Sequence, residues 1–162
     1  MRRKDKEILQ PDLIKRIIRE AQVCRLGLCK DNVPYIVPVS FGYDGTALYF
    51  HTAVDGRKIE FFTANNQVCF EIEHEVAVIP NEERACGWSF SYYSIIGYGA
   101  VEELVEDVDR AWGLQLVMEH YSERGNWEFQ EQHLRHVRVW RIRIKEVSGK
   151  QSKDKTSAST AT

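Results

Sequence analysis

What these 162 residues have little of already restricts what they can be. There are four cysteines, Cys24, Cys29, Cys69 and Cys86, scattered with no C-x-x-C pair among them. Three lie in apolar runs, where a thiol packs as a small hydrophobe, so the expectation is reduced core residues rather than disulfides or a metal knuckle. Net charge is almost absent: 22 Lys+Arg against 24 Asp+Glu leave −2, and no overall basic field exists to hold a nucleic-acid backbone. A long apolar run is missing too. The longest uncharged stretch, Ala85 to Val101, falls short of a membrane span and carries Ser, Gly and Tyr that would be costly in lipid. The head, Met1-Arg2-Arg3-Lys4-Asp5-Lys6-Glu7, is charged and leads into no apolar leader core. These absences predict a cytoplasmic protein with neither nucleic acid nor membrane as partner.

What is present is an ordinary globular balance, 43% hydrophobic and 28% charged, at a length suited to one domain with one core. Leu13, Ile14, Ile17, Ile18 and Ala21 recur at helical spacing behind Pro11, which a helix start tolerates. Cys24 to Cys29 reads as a strand, Asp31-Asn32 as a turn, and Tyr35, Val37, Val39, Phe41 and Tyr43 as one face of a half-buried strand. Asp44-Gly45 marks a second hairpin into Ala47 to His51. A short helix is expected over Ile59 to Ala64, and a one-sided strand through Val68, Phe70 and Ile72. Trp88 to Val101, punctuated by Gly97 and Gly99, predicts a bent or bulged strand. Val108, Ala111, Leu114, Met118 and Tyr121 predict a second main helix. In the last strand Val137 and Val139 alternate out of phase with Ile142 and Ile144, which predicts a bulge near Trp140-Arg141. The expectation is a mainly β domain with accessory helices over residues 1–149, an antiparallel sheet curled into a small barrel, followed by a disordered polar tail over 150–162.

Four constellations could carry chemistry. His51-Thr52-Ala53 is followed by Gly56-Arg57-Lys58, where a strand end meets a helix start; free N–H groups, the helix dipole and two cations suit a phosphate, although solvated side chains would give the same pattern. Val37-Pro38-Val39 places a residue without an N–H inside a strand, which marks either an opening beside a flat ligand or a protected edge. The run Trp88, Ser89, Phe90, Ser91, Tyr92, Tyr93, Ser94 alternates rings and hydroxyls, as a small-molecule pocket, a subunit interface or an ordinary strand would. His133 and His136 with His120 lack convincing further ligands, so no metal is assigned, and His74 among glutamates reads as charged surface.

Taken in order, Arg25-Leu26-Gly27-Leu28, Pro34-Tyr35-Ile36-Val37-Pro38-Val39, Leu48-Tyr49-Phe50-His51-Thr52-Ala53, Gly56-Arg57-Lys58, Val68-Cys69-Phe70-Glu71 and Tyr93-Ser94-Ile95-Ile96-Gly97-Tyr98-Gly99-Ala100 resemble the pyridoxamine 5′-phosphate oxidase-like flavoproteins. The likeness is to the branch that includes the 5-nitroimidazole-resistance proteins. It implies a split β-barrel of antiparallel Greek-key type and a homodimer with FMN in the interface. It also implies that His51, Thr52, Ala53, Arg57 and Lys58 hold the phosphate and ribityl chain. The backbone of Val37, Pro38 and Val39 would meet the isoalloxazine, and Trp88, Ser89 and Ser94 would close the site, with the partner subunit as one source. The arginine-rich substrate motif of the vitamin B6 oxidases is not apparent; Val137-Arg138-Val139-Trp140-Arg141 is a loose echo. The implied activity is therefore FMN-dependent reduction of a small acceptor, nitroimidazole-type, with a small-molecule electron donor and His51 as the catalytic proton donor. A non-catalytic flavin- or haem-binding module on the same barrel is the alternative.

Overall fold

A computed structural model describes residues 2–158. After a short 3-10 turn come β1 (Glu7–Ile8), α1 (Pro11–Glu20), β2 (Cys24–Lys30), β3 (Val33–Val39), β4 (Gly42–Tyr43), β5 (Ala47–Ala53), α2 (Arg57–Ala64) and β6 (Gln67–Ile79). A second 3-10 turn over Ala85–Gly87 precedes β7 (Ser89–Leu104), α3 (Asp107–Tyr121), α4 (Glu131–Leu134), β8 (Val137–Gln151) and α5 (Lys153–Ala158). The strands form one antiparallel sheet in the order β3-β2-β6-β7-β8-β5-β4, with β1 added beside β8. Its inner face encloses the main core, where Leu26, Phe41, Phe50, Phe70, Ile95 and Ile142 are all but fully buried. The sheet does not close. β3 and β4 are its two ends in the strand order, which makes it a split barrel.

The seam explains why the alternation from Tyr35 to Tyr43 is not one strand. The chain leaves the sheet at Val39, crosses from one lip of the split to the other through Ser40 and the buried Phe41, and re-enters as β4. The Phe41 N–H, lost to the ladder there, donates to the Tyr121 hydroxyl at 3.1 Å. Asp31 and Asn32 both take positive φ (50° and 62°), the signature of a tight hairpin turn between β2 and β3. Asp44 closes the second hairpin by accepting from the N–H groups of Thr46 and Ala47 and from the Tyr49 hydroxyl.

Four expectations need correction. The phase switch in β8 is not a bulge at Trp140-Arg141, where pairing with β5 runs unbroken from Ala47↔Arg143 to Ala53↔Val137. It arises because both faces of β8 are covered: Trp140 and Ile142 enter the main core, while Val139, with Val137 against it, packs under α3 in a second cluster with Tyr49, Leu104, Leu116 and Val117. The irregularity of β8 sits instead at Lys145, skipped between Gly99↔Ile144 and Tyr98↔Glu146. The buried face of α3 is Gly113, Leu114, Leu116 and Val117, and Val108 is exposed, because a helix laid across β4 and β5 is covered only along its second half. The chain from Lys150 is not a disordered tail through Ala158: Lys150 and Gln151 complete β8, Ser152 is buried with its N–H on the Tyr92 carbonyl, and α5 follows with Asp154 accepting from the Ser91 hydroxyl. Residues 159–162 lie outside the described residues. All four thiols are free, but only Cys24 is core, where burial pushes its pKa far up; Cys29 and Cys86 are exposed.

The hairpin of β6 and β7 extends beyond its neighbours. β2 accompanies β6 only from Cys69 to Ile72, and β8 accompanies β7 only from Tyr93 onward. A break in register between His74 and Ala77, with Glu75 at φ 49°, separates the remainder as a two-stranded arm. Among the described residues no helix is long and apolar enough to cross a membrane.

Candidate functional site

The start of α2 carries residues that act on both lips of the split. β5 is paired with β4 only at Tyr49 and Leu48, so from His51 to Ala53 its second edge is bare. β3 pairs with β2 on one side and is a free edge on the other. Helix α2 reaches both. The Arg57 guanidinium lies over the Tyr35 ring of β3, 4.9 Å from its centroid, and over Phe61 at 5.7 Å. Lys58, the next residue, lies close enough to His51 of β5 to act on its titration: burial first, and the Lys58 ammonium second, hold the imidazole below its ordinary value of 6.5. His51 is therefore mainly neutral at pH 7.

α2 begins without a side-chain cap. Gly56 precedes it at φ 135°, a conformation that suits glycine, and a Cβ built there would meet nothing within 4 Å. The approach to the first N–H groups of the helix is open. Among the described residues neither Arg57 nor Lys58 has a carboxylate partner or spends a side-chain hydrogen bond, whereas Arg25, Arg110, Arg138, Arg141 and Arg143 are all engaged with Glu or Asp. Two cations without carboxylate partners stand on the first turn of α2, one over Tyr35 of β3 and one near the mainly neutral His51 of β5, beside an uncapped helix start. This donor set fits a phosphate; a divalent cation would meet like charge there, and among the described residues no cluster of three His, Cys, Asp or Glu could hold a metal.

The other expected residues divide. Val37, Pro38 and Val39 lie on the β3 lip, opposite Leu26, Arg25 and Cys24 of β2, with Pro38 on the exposed face and Val39 buried. Ala53 is exposed at the end of β5. Thr52 is not at the surface. Its side chain is 3% exposed, points to the core side opposite His51 and Ala53, and its hydroxyl accepts from Trp140 Nε1 at 3.0 Å while donating to the Ala53 carbonyl at 2.7 Å. The hydroxyl is spent, and only its backbone could face a ligand. Trp88, Ser89 and Ser94 are not brought to this spot within one chain. Ser89 opens β7, whereas the β7 residue beside Val139, the partner of His51, is Leu104 at the far end of the strand. Fifteen residues separate them, about 50 Å of extended chain at ~3.3 Å per residue. Trp88 and Phe90 are 52% and 55% exposed on the arm, with Val76 and Val78 also bare.

Sequence reasoning missed Tyr35 and Phe61 as neighbours of Arg57. Phe61 follows Arg57 by four residues on a helix, a spacing that brings side chains together and was readable. Tyr35 comes from another strand, and no local pattern announces it.

Residues 10–151 match the family model described as pyridoxamine 5′-phosphate oxidase. A candidate 5-nitroimidazole antibiotic resistance protein from Bacteroides thetaiotaomicron VPI-5482 is similar in structure, with a TM-score of 0.79 and 28% identity over 89% of this chain and 85% of that one. The FAD and heme binding protein from Mycobacterium smegmatis shares the fold, with a TM-score of 0.80 at 17% identity, covering 97% of this chain and 81% of its own. So does a flavocytochrome from Azotobacter vinelandii, with a TM-score of 0.77 at 17% identity, covering 90% and 69%. An uncharacterized protein of Rhizobium meliloti (strain 1021) is 32% identical over 56 residues, a stretch that spans 35% of this chain and 36% of that relative. The chain belongs to the pyridoxamine 5′-phosphate oxidase family.

Proposed function

We propose that this chain is an FMN-binding oxidoreductase, active as a homodimer, that reduces small acceptors of the nitroimidazole type. The observation that carries the reading is the pair of uncompensated cations, Arg57 and Lys58, at the open start of α2 beside His51. FMN presents the phosphate such a place takes. When bound, the flavin supplies two-electron transfer. The chain's own residues bind and orient: Arg57 and Lys58 hold the phosphate, and the free edge of Val37 to Val39 offers main-chain groups to a flat ring beside the seam. His51, largely neutral before anything binds, can donate one hydrogen bond and accept another at the edge of that space, and a phosphate that offsets Lys58 would raise its proton affinity.

The arm supports the dimer. A two-stranded hairpin with bare Val76, Val78, Trp88 and Phe90 is poorly stable in water without a cover. Trp88, Ser89 and Ser94 lie well along β7 from the residue beside His51's partner, and a second copy is the source this reading gives them. The acceptor class rests on the 28% identity to the candidate nitroimidazole resistance protein over most of both chains.

The test is spectroscopic. Purified protein loaded with FMN should absorb at roughly 370 and 450 nm, bleach under anaerobic reduction, and regain colour on addition of a nitroimidazole. A protein that cannot be loaded with FMN refutes the reading. A Soret band on the purified protein instead selects the alternative, a haem-binding module.

A further inference from the structure

Arg57 reaches the β3 lip at Tyr35, yet it gains its position from none of the usual partners. Among the described residues it makes no ion pair and no side-chain hydrogen bond. What holds it is aromatic. Tyr35 of β3 and Phe61 of α2 lie 5.1 Å apart with their planes tilted by 47°, and the guanidinium lies over both. Phe61 is 5% exposed and fixed in the main core; Tyr35 is half-buried and packed against the same core. A ring face attracts the cation without consuming any of its N–H donors, so the guanidinium is placed while its whole hydrogen-bonding capacity stays available. A carboxylate partner would have positioned Arg57 as well, but it would have cancelled the charge an anion needs.

We infer that Tyr35 is a positioning residue for anion binding: its ring, with Phe61, forms a ledge that holds Arg57 at the seam with its donors unspent. The inference rests on the phosphate reading of the site and adds a determinant to it. Because the ring face acts, the Tyr35 hydroxyl is dispensable. Because Tyr35 acts through Arg57, its effect is confined to ligands that carry the phosphate.

The experiment compares affinities for FMN and for riboflavin, which lacks the phosphate, in the whole 162-residue chain. Tyr35→Leu should weaken FMN binding by about tenfold, the size of a partly desolvated cation–π contact, and leave riboflavin affinity unchanged. The riboflavin value also reports that the variant is folded. Tyr35→Phe should bind FMN as the unmodified protein does, and Tyr35→Leu should add little in an Arg57→Ala background. Equal losses for FMN and riboflavin, full FMN affinity in Tyr35→Leu, or failure of Tyr35→Phe to restore binding would each overturn the inference while leaving the phosphate site standing. If the unmodified protein does not prefer FMN to riboflavin, the phosphate reading falls, and the ledge with it.

Discussion

Replacing Thr52 by valine exchanges a hydroxyl for a methyl at nearly constant volume, so the change is one of hydrogen bonding rather than packing. Thr52 is 3% exposed and Trp140 is 4% exposed, and the indole Nε1–H donates to the Thr52 oxygen at 3.0 Å. In the variant that N–H is left in the core with no acceptor, which costs about 1–3 kcal/mol. For a domain of this size each kcal/mol lowers Tm by about 2–4 °C, so the middle of that range, about 2 kcal/mol, gives an expected fall of about 4–8 °C. The Thr52 side chain lies on the core side of β5, opposite His51, so FMN affinity should hold in protein kept folded. Thermal unfolding by circular dichroism and a flavin titration make the two measurements. The penalty should shrink in a Trp140→Phe background, where no indole N–H is left to strand. An unchanged Tm together with weakened FMN binding would refute this reasoning and return the hydroxyl to the ligand.

Two further perturbations probe the frame around the site. A Cβ at Gly42 would lie 2.5 Å from the Leu116 carbonyl oxygen and 2.6 Å from the Val117 nitrogen, both helix backbone that cannot turn aside. Gly42→Ala should therefore lift α3 from the sheet and cost at least about 1–3 kcal/mol, whereas Gly27→Ala meets the Cys69 Sγ, a side-chain atom that can rotate away, and should cost less; urea midpoints compare them. His120 accepts its place from burial, which lowers its pKa, against the weaker opposing effect of its contact with the Ala21 carbonyl. A histidine with a depressed folded pKa binds fewer protons folded than unfolded, so its contribution is whole above the unfolded value and is lost as pH falls through the folded one. The urea midpoint should drop as pH falls through and below about 6.5, and drop less in His120→Asn; His51, lowered in the same sense, contributes its own share to the remainder.

Much of the barrel was legible because its signals are local. Asp31-Asn32 and Asp44-Gly45 announce their hairpins, Pro11 opens α1, and Gly56-Arg57-Lys58 marks the cationic helix start. Misreadings came where one residue serves two neighbours at once. Val139 and Trp140 both look inward, and only the presence of α3 on the outer face explains how both can be right. The polar segment from Lys150 carries no apolar pattern, yet Gln151 and Ser152 are buried by hydrogen bonding to the β7 backbone rather than by hydrophobicity. Thr52 sits beside His51 in sequence, but adjacent residues of a strand face opposite ways, and the pairing with Trp140 decides which face is core. Trp88 and Ser89 fall into one motif list with His51 while lying at the other end of β7, a separation only strand register reveals.

The central claim is that Arg57 and Lys58 make the start of α2 a phosphate site. The most direct measurement is the ratio of FMN to riboflavin affinity in the unmodified protein and in Lys58→Glu. A charge pair at 4 Å is worth about 4 kcal/mol at an effective dielectric of 20, and screening at this half-exposed position leaves about a third to a half of that, so the account predicts an FMN preference of at least about tenfold that Lys58→Glu abolishes. Equal affinities for the two flavins, or an FMN preference untouched by Lys58→Glu, would contradict it.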